Sequence, residues 1–173
     1  MRLRLRGIMR VVFLSGGTGT PKLVEGFLHL ISQEDLTVIV NTADDEELYG
    51  LYVSPDVDTV VYLFAGLLDT HKYWGIVNDT FTFMGMLKRY LGDKCWFNLG
   101  DMDLATHVFR TMLLRSGYTL TQVTRMICER LGVKATVLPM TDDRVRTLLK
   151  TDRGLMTFQE FHVKYRDEPE VYE

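Results

Sequence analysis

Residues 11–22 read Val-Val-Phe-Leu-Ser-Gly-Gly-Thr-Gly-Thr-Pro-Lys, and the change of character within this stretch decides the fold class. Val11 to Leu14 form a short, continuously apolar and largely β-branched run, the pattern of a strand buried on both faces. Ser15, Gly16 and Gly17 stop it. Pro21 suits the first turn of a helix, where a missing N–H and a fixed φ are no handicap. Leu23, Phe27, Leu30 and Ile31 then recur at helical intervals as the apolar side of that helix. A second apolar run, Leu36 to Val40, ends at Asn41. Strand, glycine loop, helix and strand make a βαβ unit, so the chain is expected to be an α/β protein with a Rossmann-like parallel sheet.

Downstream, residues 41–58 are acidic and contain glycine, and Ser54 before Pro55 marks a helix start or a tight turn. Val60, Val61, Phe64, Leu67 and Leu68 follow with helical spacing. Two further periodic sets, Phe81, Met84, Leu87 and Leu91, then Leu104, Val108, Met112 and Leu113, predict a helical insertion between about Tyr73 and Gly117. Residues 121–131 read as a helix ended by Gly132. Residues 135–138 are expected to return a strand to the sheet, and the alternation of Val145, Thr147 and Leu149 predicts an edge strand, turned back at Gly154. Three or four strands are few for a doubly wound sheet, and the ending KYRDEPEVYE (164–173) has no strand or helix pattern. The sheet is therefore expected to be incomplete, as in a truncated chain.

The 173 residues are enough for one core and too few for two complete domains. With 23 acidic against 20 basic side chains, a net charge of −3 and no basic block, there is no electrostatic reason to expect nucleic acid or a bilayer as partner. No apolar run approaches the roughly 20 residues that span a membrane. Cys95 and Cys128 are too distant for a C-x-x-C site and too few for a disulfide scaffold, so a cytoplasmic protein is the simplest reading. The basic opening MRLRLRGI leads into no signal-peptide core. Residues 1–8 are read as an extension, Met9 as the start, and 9–173 as part of a single α/β domain.

Three clusters carry chemistry. Gly16, Gly17, Thr18, Gly19, Thr20 and Lys22 lie between strand and helix, where backbone N–H groups and the helix N-terminus favour a phosphate. Pro21 breaks the Walker A pattern and Lys22 breaks G-x-G-x-x-G; the bland alternative is a tight turn. Asp44, Asp45, Glu46 and Glu47, then Asp56 and Asp58, should emerge at the carboxyl edge of the sheet, where open α/β sheets bind ligands. Hard oxygens beside a phosphate loop suit Mg²⁺; Asp45 and Asp58 are the preferred ligands, and Glu46 and Glu47 are read as a solvated loop. In Asn98-Leu99-Gly100-Asp101-Met102-Asp103, Asp101 or Asp103 can cap the next helix. His107, one turn beyond Asp103, suits either an acid/base role or the commoner structural one. His29, His71 and His162 lack metal-ligand spacing.

SGGTGTPKL (15–23), VNTADDEELYGLYVSPDVDTVVYLFAG (40–66), WGIVNDTF (74–81), WFNLGDMDLATH (96–107), LPMTDD (138–143) and FQEF (158–161), in this order, resemble the 2-phospho-L-lactate transferase family of coenzyme F-420 biosynthesis. The resemblance implies a guanosine diphosphate-activated donor of a phospholactyl or phosphoenolpyruvyl-type group. It implies 7,8-didemethyl-8-hydroxy-5-deazariboflavin as acceptor, with GMP released. It also places Asp58 at the acceptor and metal as the catalytic carboxylate and Asn98 in the deazaflavin pocket. Asn41 and Asp101 join the glycine loop as substrate-binding residues, with Mg²⁺ as cofactor and a homodimer as an option. Asn98 stands where the family often has a basic residue, and LGDMD where it has LGDRD. The family continues for a comparable length beyond residue 173. A non-catalytic nucleotide-binding protein of the gluconeogenesis-factor type, or an inactive remnant, is the alternative reading.

Overall fold

A computed structural model describes residues 10–172; the expectation of an extension before Met9 lies outside them. The βαβ unit forms as its sequence implies. β1 (Val11–Ser15) leads through the glycine turn into α1 (Gly19–Leu28), and β2 (Leu36–Val40) returns parallel to β1, with Val11 opposite Leu36 and Ser15 opposite Val40. β3 (Glu46–Leu48) and β4 (Leu51–Val53) make a small antiparallel hairpin, turned through Tyr49 and Gly50, both at positive φ. α2 (Pro55–Ala65), α3 (Thr82–Leu91), α4 (Asp101–Arg115) and α5 (Leu120–Arg130) follow, and β5 (Thr136–Pro139) joins β2 in parallel, giving the sheet order β1-β2-β5.

The expected edge strand at residues 145–149 is corrected. β6 (Leu148–Thr151) begins three residues later and pairs antiparallel with β7 (Gly154–Thr157), outside the parallel sheet. The two-residue turn between Thr151 and Gly154 makes this local pairing cheap in loop entropy, and Gly154 supplies the positive φ it needs. The polar ending is structured too: Val171 bridges Thr151, and the Tyr172 N–H donates to the Lys150 carbonyl at 2.8 Å.

Helices cover one face of the sheet. Leu36, Val38 and Val40 of β2 and Val137 of β5 meet Val24 of α1, Val57, Val60 and Val61 of α2, and Val123 and Ile127 of α5 in one core. α1 rests on β1 through Phe27, whose ring meets Phe13 edge-on at 5.1 Å, while Leu23 and Leu30 face outward, contrary to their expected place in its apolar side. Because α1, α2 and α5 share one side, Val12 and Leu14 on the other are 58% and 79% exposed. The reading of β1 as buried on both faces is thereby corrected.

α3 and α4 form the helical insertion. A second core of Leu48, Val53, Met84, Phe97, Leu99 and Leu104 ties it to the β3–β4 hairpin. The two helices exchange caps. Asp101, the first residue of α4, accepts the N–H groups of Thr82 and Phe83 at the start of α3, both at 3.0 Å. Asp79, ahead of α3, accepts those of Met102 and Asp103 in α4 at 2.8 and 3.0 Å. Gly100 lies against Asp79 with no space for a side chain. Among the described residues no helix is long and apolar enough to cross a membrane.

Candidate active site

At the carboxyl edge of the sheet the glycine turn opens onto a cleft of about 430 Å³, lined by Gly17, Thr18, Asp44, Asp56, Asn98 and Trp74, with Phe97, Phe158 and His162 also on its walls. That volume lies within the usual range for small-molecule sites. One end carries the exposed N–H groups of the α1 N-terminus, the natural seat of an anion. Glycine leaves room for the carboxylate: a Cβ on Gly17 would stand 2.5 Å from Asp56 Oδ1 and displace it, whereas one on Gly19 would meet nothing. The wall also carries aromatic rings. Trp74 and Phe97 meet edge-on at 6.1 Å, and the ring of Phe158 stacks on His162 at 5.4 Å with 10° between planes.

The carboxylates facing the glycine turn are Asp44 and Asp56. The Asn41 amide donates to both, at 3.1 Å to Asp44 and 3.0 Å to Asp56. Burial raises both acids, Asp56 to about 6 despite the Asn41 hydrogen bond, and Asp44 adds to the rise of Asp56 by like-charge repulsion. Two hard-oxygen donors pinned by one amide, each disfavoured as an anion and set against the glycine turn, are a donor set that Mg²⁺ fits.

The expectation that Asp58 lies beside the glycine loop as a metal ligand is corrected by its position. Two residues along a helix turn a side chain by about 200°, so Asp56 and Asp58 face opposite ways. Asp58 points into the protein, where both its oxygens accept from Arg110, one from Nη1 at 3.0 Å and the other from Nη2. Arg110 Nη1 also lies 3.3 Å from His107 Nδ1, and Tyr62 donates to Asp103 at 2.7 Å. Burial opposes the charge of Arg110, which is 0% exposed, but Asp58 overcomes that penalty and holds the guanidinium protonated. Burial likewise opposes charge on Asp103, yet the His107 imidazole, with Nε2 3.3 Å away, and the Tyr62 hydroxyl leave its pKa lowered. Asp58, Asp103 and His107 each offer a ligand atom within 4.8 Å of the others, a spacing that Arg110 already fills with positive charge. The hollow beside them, about 10 Å³, admits a single water at most.

Asp45, the other expected metal ligand, also lies apart from the cleft. It accepts from the Ser54 hydroxyl at 2.7 Å, and burial pushes it up to about 7. It borders a separate hollow with Tyr52, Arg144 and Arg146. The donor set expected for Mg²⁺, Asp45 with Asp58, thus does not fit: one acid is spent on Arg110 and the other faces a different cavity. Glu46 is buried, with Arg146 at 3.2 Å, so only Glu47 keeps the solvated character expected of both.

Of the expected substrate residues, Gly17, Thr18 and Asn98 line the cleft, Gly16 adjoins Asp56, and Asn41 braces its carboxylates. Gly19 and Thr20 begin α1. Lys22 turns aside, its ammonium 4.9 Å above the Tyr73 ring. Asp101 is the cap of α3 and is not among the side chains on the cleft wall. Sequence reasoning passed over Arg110, although Asp103, His107, Arg110 and Thr111 recur at the i, i+4, i+7 and i+8 positions of one helical face. It also set aside His162 for want of metal-ligand spacing.

A parallel α/β sheet with a glycine turn and a carboxylate-lined cleft at its carboxyl edge defines a Rossmann-like α/β protein. The chain belongs to the 2-phospho-L-lactate transferase CofD family, which residues 11–173 match. It is 45% identical over 161 residues to the 2-phospho-L-lactate transferase of Methanospirillum hungatei, covering 93% of this chain and 54% of that one. It is 40% identical over 162 residues to the phosphoenolpyruvate transferase of Streptomyces avermitilis, covering 91% and 51%. The chain therefore spans about half the length of the curated relatives it matches. A crystal structure of a UPF0052-family protein from Bacillus halodurans shares the fold, with a TM-score of 0.53 at 16% identity over 96% of this chain and 51% of that one.

Proposed function

We propose that this cleft moves a phospholactyl, or phosphoenolpyruvyl-type, group from a guanosine diphosphate-activated donor to the ribityl hydroxyl of 7,8-didemethyl-8-hydroxy-5-deazariboflavin, releasing GMP in the cytoplasm. Family membership and the names of the relatives support the class of transfer. The observation that carries the reading is a single cleft whose wall combines the glycine turn and the Asp44 and Asp56 carboxylates with Asn98, Trp74, Phe97 and Phe158. A diphosphate suits the glycine turn, and a planar tricyclic ring suits the aromatic side chains of the same wall.

Phosphoryl transfer asks for alignment and charge neutralisation more than for covalent chemistry. Asp44 and Asp56 would hold Mg²⁺, which when bound offsets the charge of the transferring phosphate. Asn41 keeps the two carboxylates in place, and the α1 N–H groups orient the donor's phosphate oxygens. Asn98 can hydrogen-bond the acceptor's polar edge.

The test is a titration of the 173-residue protein with the deazaflavin, followed by the deazaflavin's fluorescence. Saturable binding, weakened about tenfold or more by Phe158→Ala or Asn98→Ala, is expected, since a lost stacking or hydrogen-bonding partner is worth about 1–2 kcal/mol. Absence of binding, or binding indifferent to both substitutions, would overturn the acceptor assignment and favour a nucleotide-binding protein without this transfer.

A further inference from the structure

Deepening that reading, and resting on it, we propose that His162 is the catalytic residue that takes the proton of the attacking hydroxyl, with Asp167 as its positioning residue. The segment that presents His162 is built unusually for a surface loop. Residues Glu160–Lys164 form a single π-helical turn, closed by the Tyr165 N–H donating to the Glu160 carbonyl at 2.9 Å. Such turns are rare and concentrate at functional sites. Arg166 and Asp167 follow at φ 54° and 60°, both left-handed and neither of them glycine, a conformation that costs energy and persists only where its surroundings enforce it. The result is that the Asp167 carboxylate reaches back to His162 Nδ1, at 2.9 and 3.1 Å for its two oxygens, while the Asp167 backbone N–H donates to the Phe161 carbonyl at 3.0 Å.

The base of the segment is anchored to the site. Gln159 is buried and its amide donates to the Asp44 carbonyl at 3.0 Å, and the Phe158 N–H donates to the Thr147 carbonyl at 3.2 Å. The Phe158 ring then fixes the plane of the imidazole by stacking on it. An ordinary surface ion pair needs neither the strained pair of residues nor the stacked ring. His162 thus stands on the wall of the cleft that also holds Gly17, Thr18, Asp56 and Asn98. Asp58, by contrast, has both oxygens on Arg110 beside a hollow the size of one water.

With Nδ1 committed to Asp167, proton exchange falls to Nε2. In the step assigned here, the acceptor's hydroxyl oxygen forms a bond to the phosphorus that bears the three-carbon group, and its proton passes to His162 Nε2. The bond from that phosphorus to the bridging oxygen of the donor breaks, and the nucleoside monophosphate leaves with the electron pair. The Asp167 carboxylate faces the imidazolium so formed.

The test uses the protein as it stands and three readouts. Deazaflavin fluorescence reports binding, peptide mapping after diethyl pyrocarbonate reports the reactivity of His162, and GMP release reports turnover. Bound deazaflavin with GMP should slow carbethoxylation of His162. His162→Gln should bind deazaflavin within a few-fold of the native protein and lose GMP release by on the order of a hundredfold or more, the scale of one positioned base. Asp167→Asn should lower kcat by a smaller factor and leave KM nearly unchanged. Carbethoxylation of His162 at an undiminished rate with deazaflavin bound, or native GMP release by His162→Gln, would overturn the proposal. If the native protein binds no deazaflavin, the transfer reading itself fails. If it binds without turning over, the protection experiment alone decides.

Discussion

Replacing Asp58 by asparagine removes the counter-charge of a guanidinium that has no contact with solvent. Breaking a buried pair from one side costs about 3–5 kcal/mol, whereas an apolar pair of similar volume is often tolerated. Asp58→Asn is therefore expected to lower the urea midpoint sharply, and Asp58→Leu with Arg110→Met to recover much of the loss. Near-native stability of Asp58→Asn would show the aspartate acting only at the helix start, where asparagine substitutes freely. Asp45 makes a second expectation. Its folded pKa is raised by burial from 3.8 to about 7, so between those values the folded protein holds a proton that the unfolded chain has released. The stability from this group is complete below pH 3.8 and is lost as the pH rises to about 7. Asp56, raised to about 6, acts in the same direction. Asp45→Asn should flatten the fall in Tm across this window, and an unchanged slope would exclude Asp45 as its source. The sequence made both aspartate pairs visible, as D-D at 44–45 and D-V-D at 56–58. Helical geometry says that Asp56 and Asp58 diverge, but which one meets the glycine turn depends on the rotation of α2, set by contacts with Asn41 and Gly17 from other elements.

α4 shows why apolar periodicity can mislead at the scale of an element. Leu104, Val108, Met112 and Leu113 have the spacing of a buried stripe, yet Val108 and Met112 are 42% and 62% exposed. Apart from Leu104, the buried face is polar, Asp103, His107, Arg110 and Thr111, because its partners are Asp58, Tyr62 and the free edge of β4, where the Tyr52 N–H donates to Thr111 Oγ1 at 2.8 Å. Met112→Lys is expected to change stability by no more than about 0.5 kcal/mol, and Thr111→Val to cost about 1–3 kcal/mol by leaving the Tyr52 N–H without its acceptor. The reverse order in a denaturation series would restore the apolar face to the core. The caps exchanged by α3 and α4 were legible only as capping residues, since Asp101 serves α3, whose Thr82 lies nineteen residues upstream, rather than its own helix. The glycine turn was legible as the connection from β1 to α1, and it separates two glycines that look alike in sequence. Gly17→Ala must push Asp56 aside, whereas Gly19→Ala meets open space. Inorganic phosphate or GMP binding, measured by calorimetry with Mg²⁺ present, is expected to weaken about tenfold or more for the first and little for the second. Equal losses would mean that backbone freedom, rather than the seat of Asp56, is what the turn supplies.

At the scale of the whole molecule, the three-stranded sheet has helices on one side only among the described residues. Parallel sheets are ordinarily covered on both faces, and here Val12 and Leu14 stand open on β1, itself an edge strand in the order β1-β2-β5. The βαβ pattern made the strands readable, but a continuous apolar run has the same appearance whether one face or two are covered by this chain. Relatives carry about as much sequence again as the portion matched here, enough chain to cover such a face. In the 173-residue protein the exposed edge and apolar face should instead meet a second copy. Sedimentation velocity is expected to show concentration-dependent self-association. Val12→Lys with Leu14→Glu should shift the protein toward monomer while leaving Tm within a few degrees, because these side chains are outside the helix-covered core. If the native chain remains a monomer at every concentration, or if the double substitution unfolds it, the open face is not the surface on which copies meet. A fall in stability without a change in association would further mean that Val12 and Leu14 contribute to the core of the single chain.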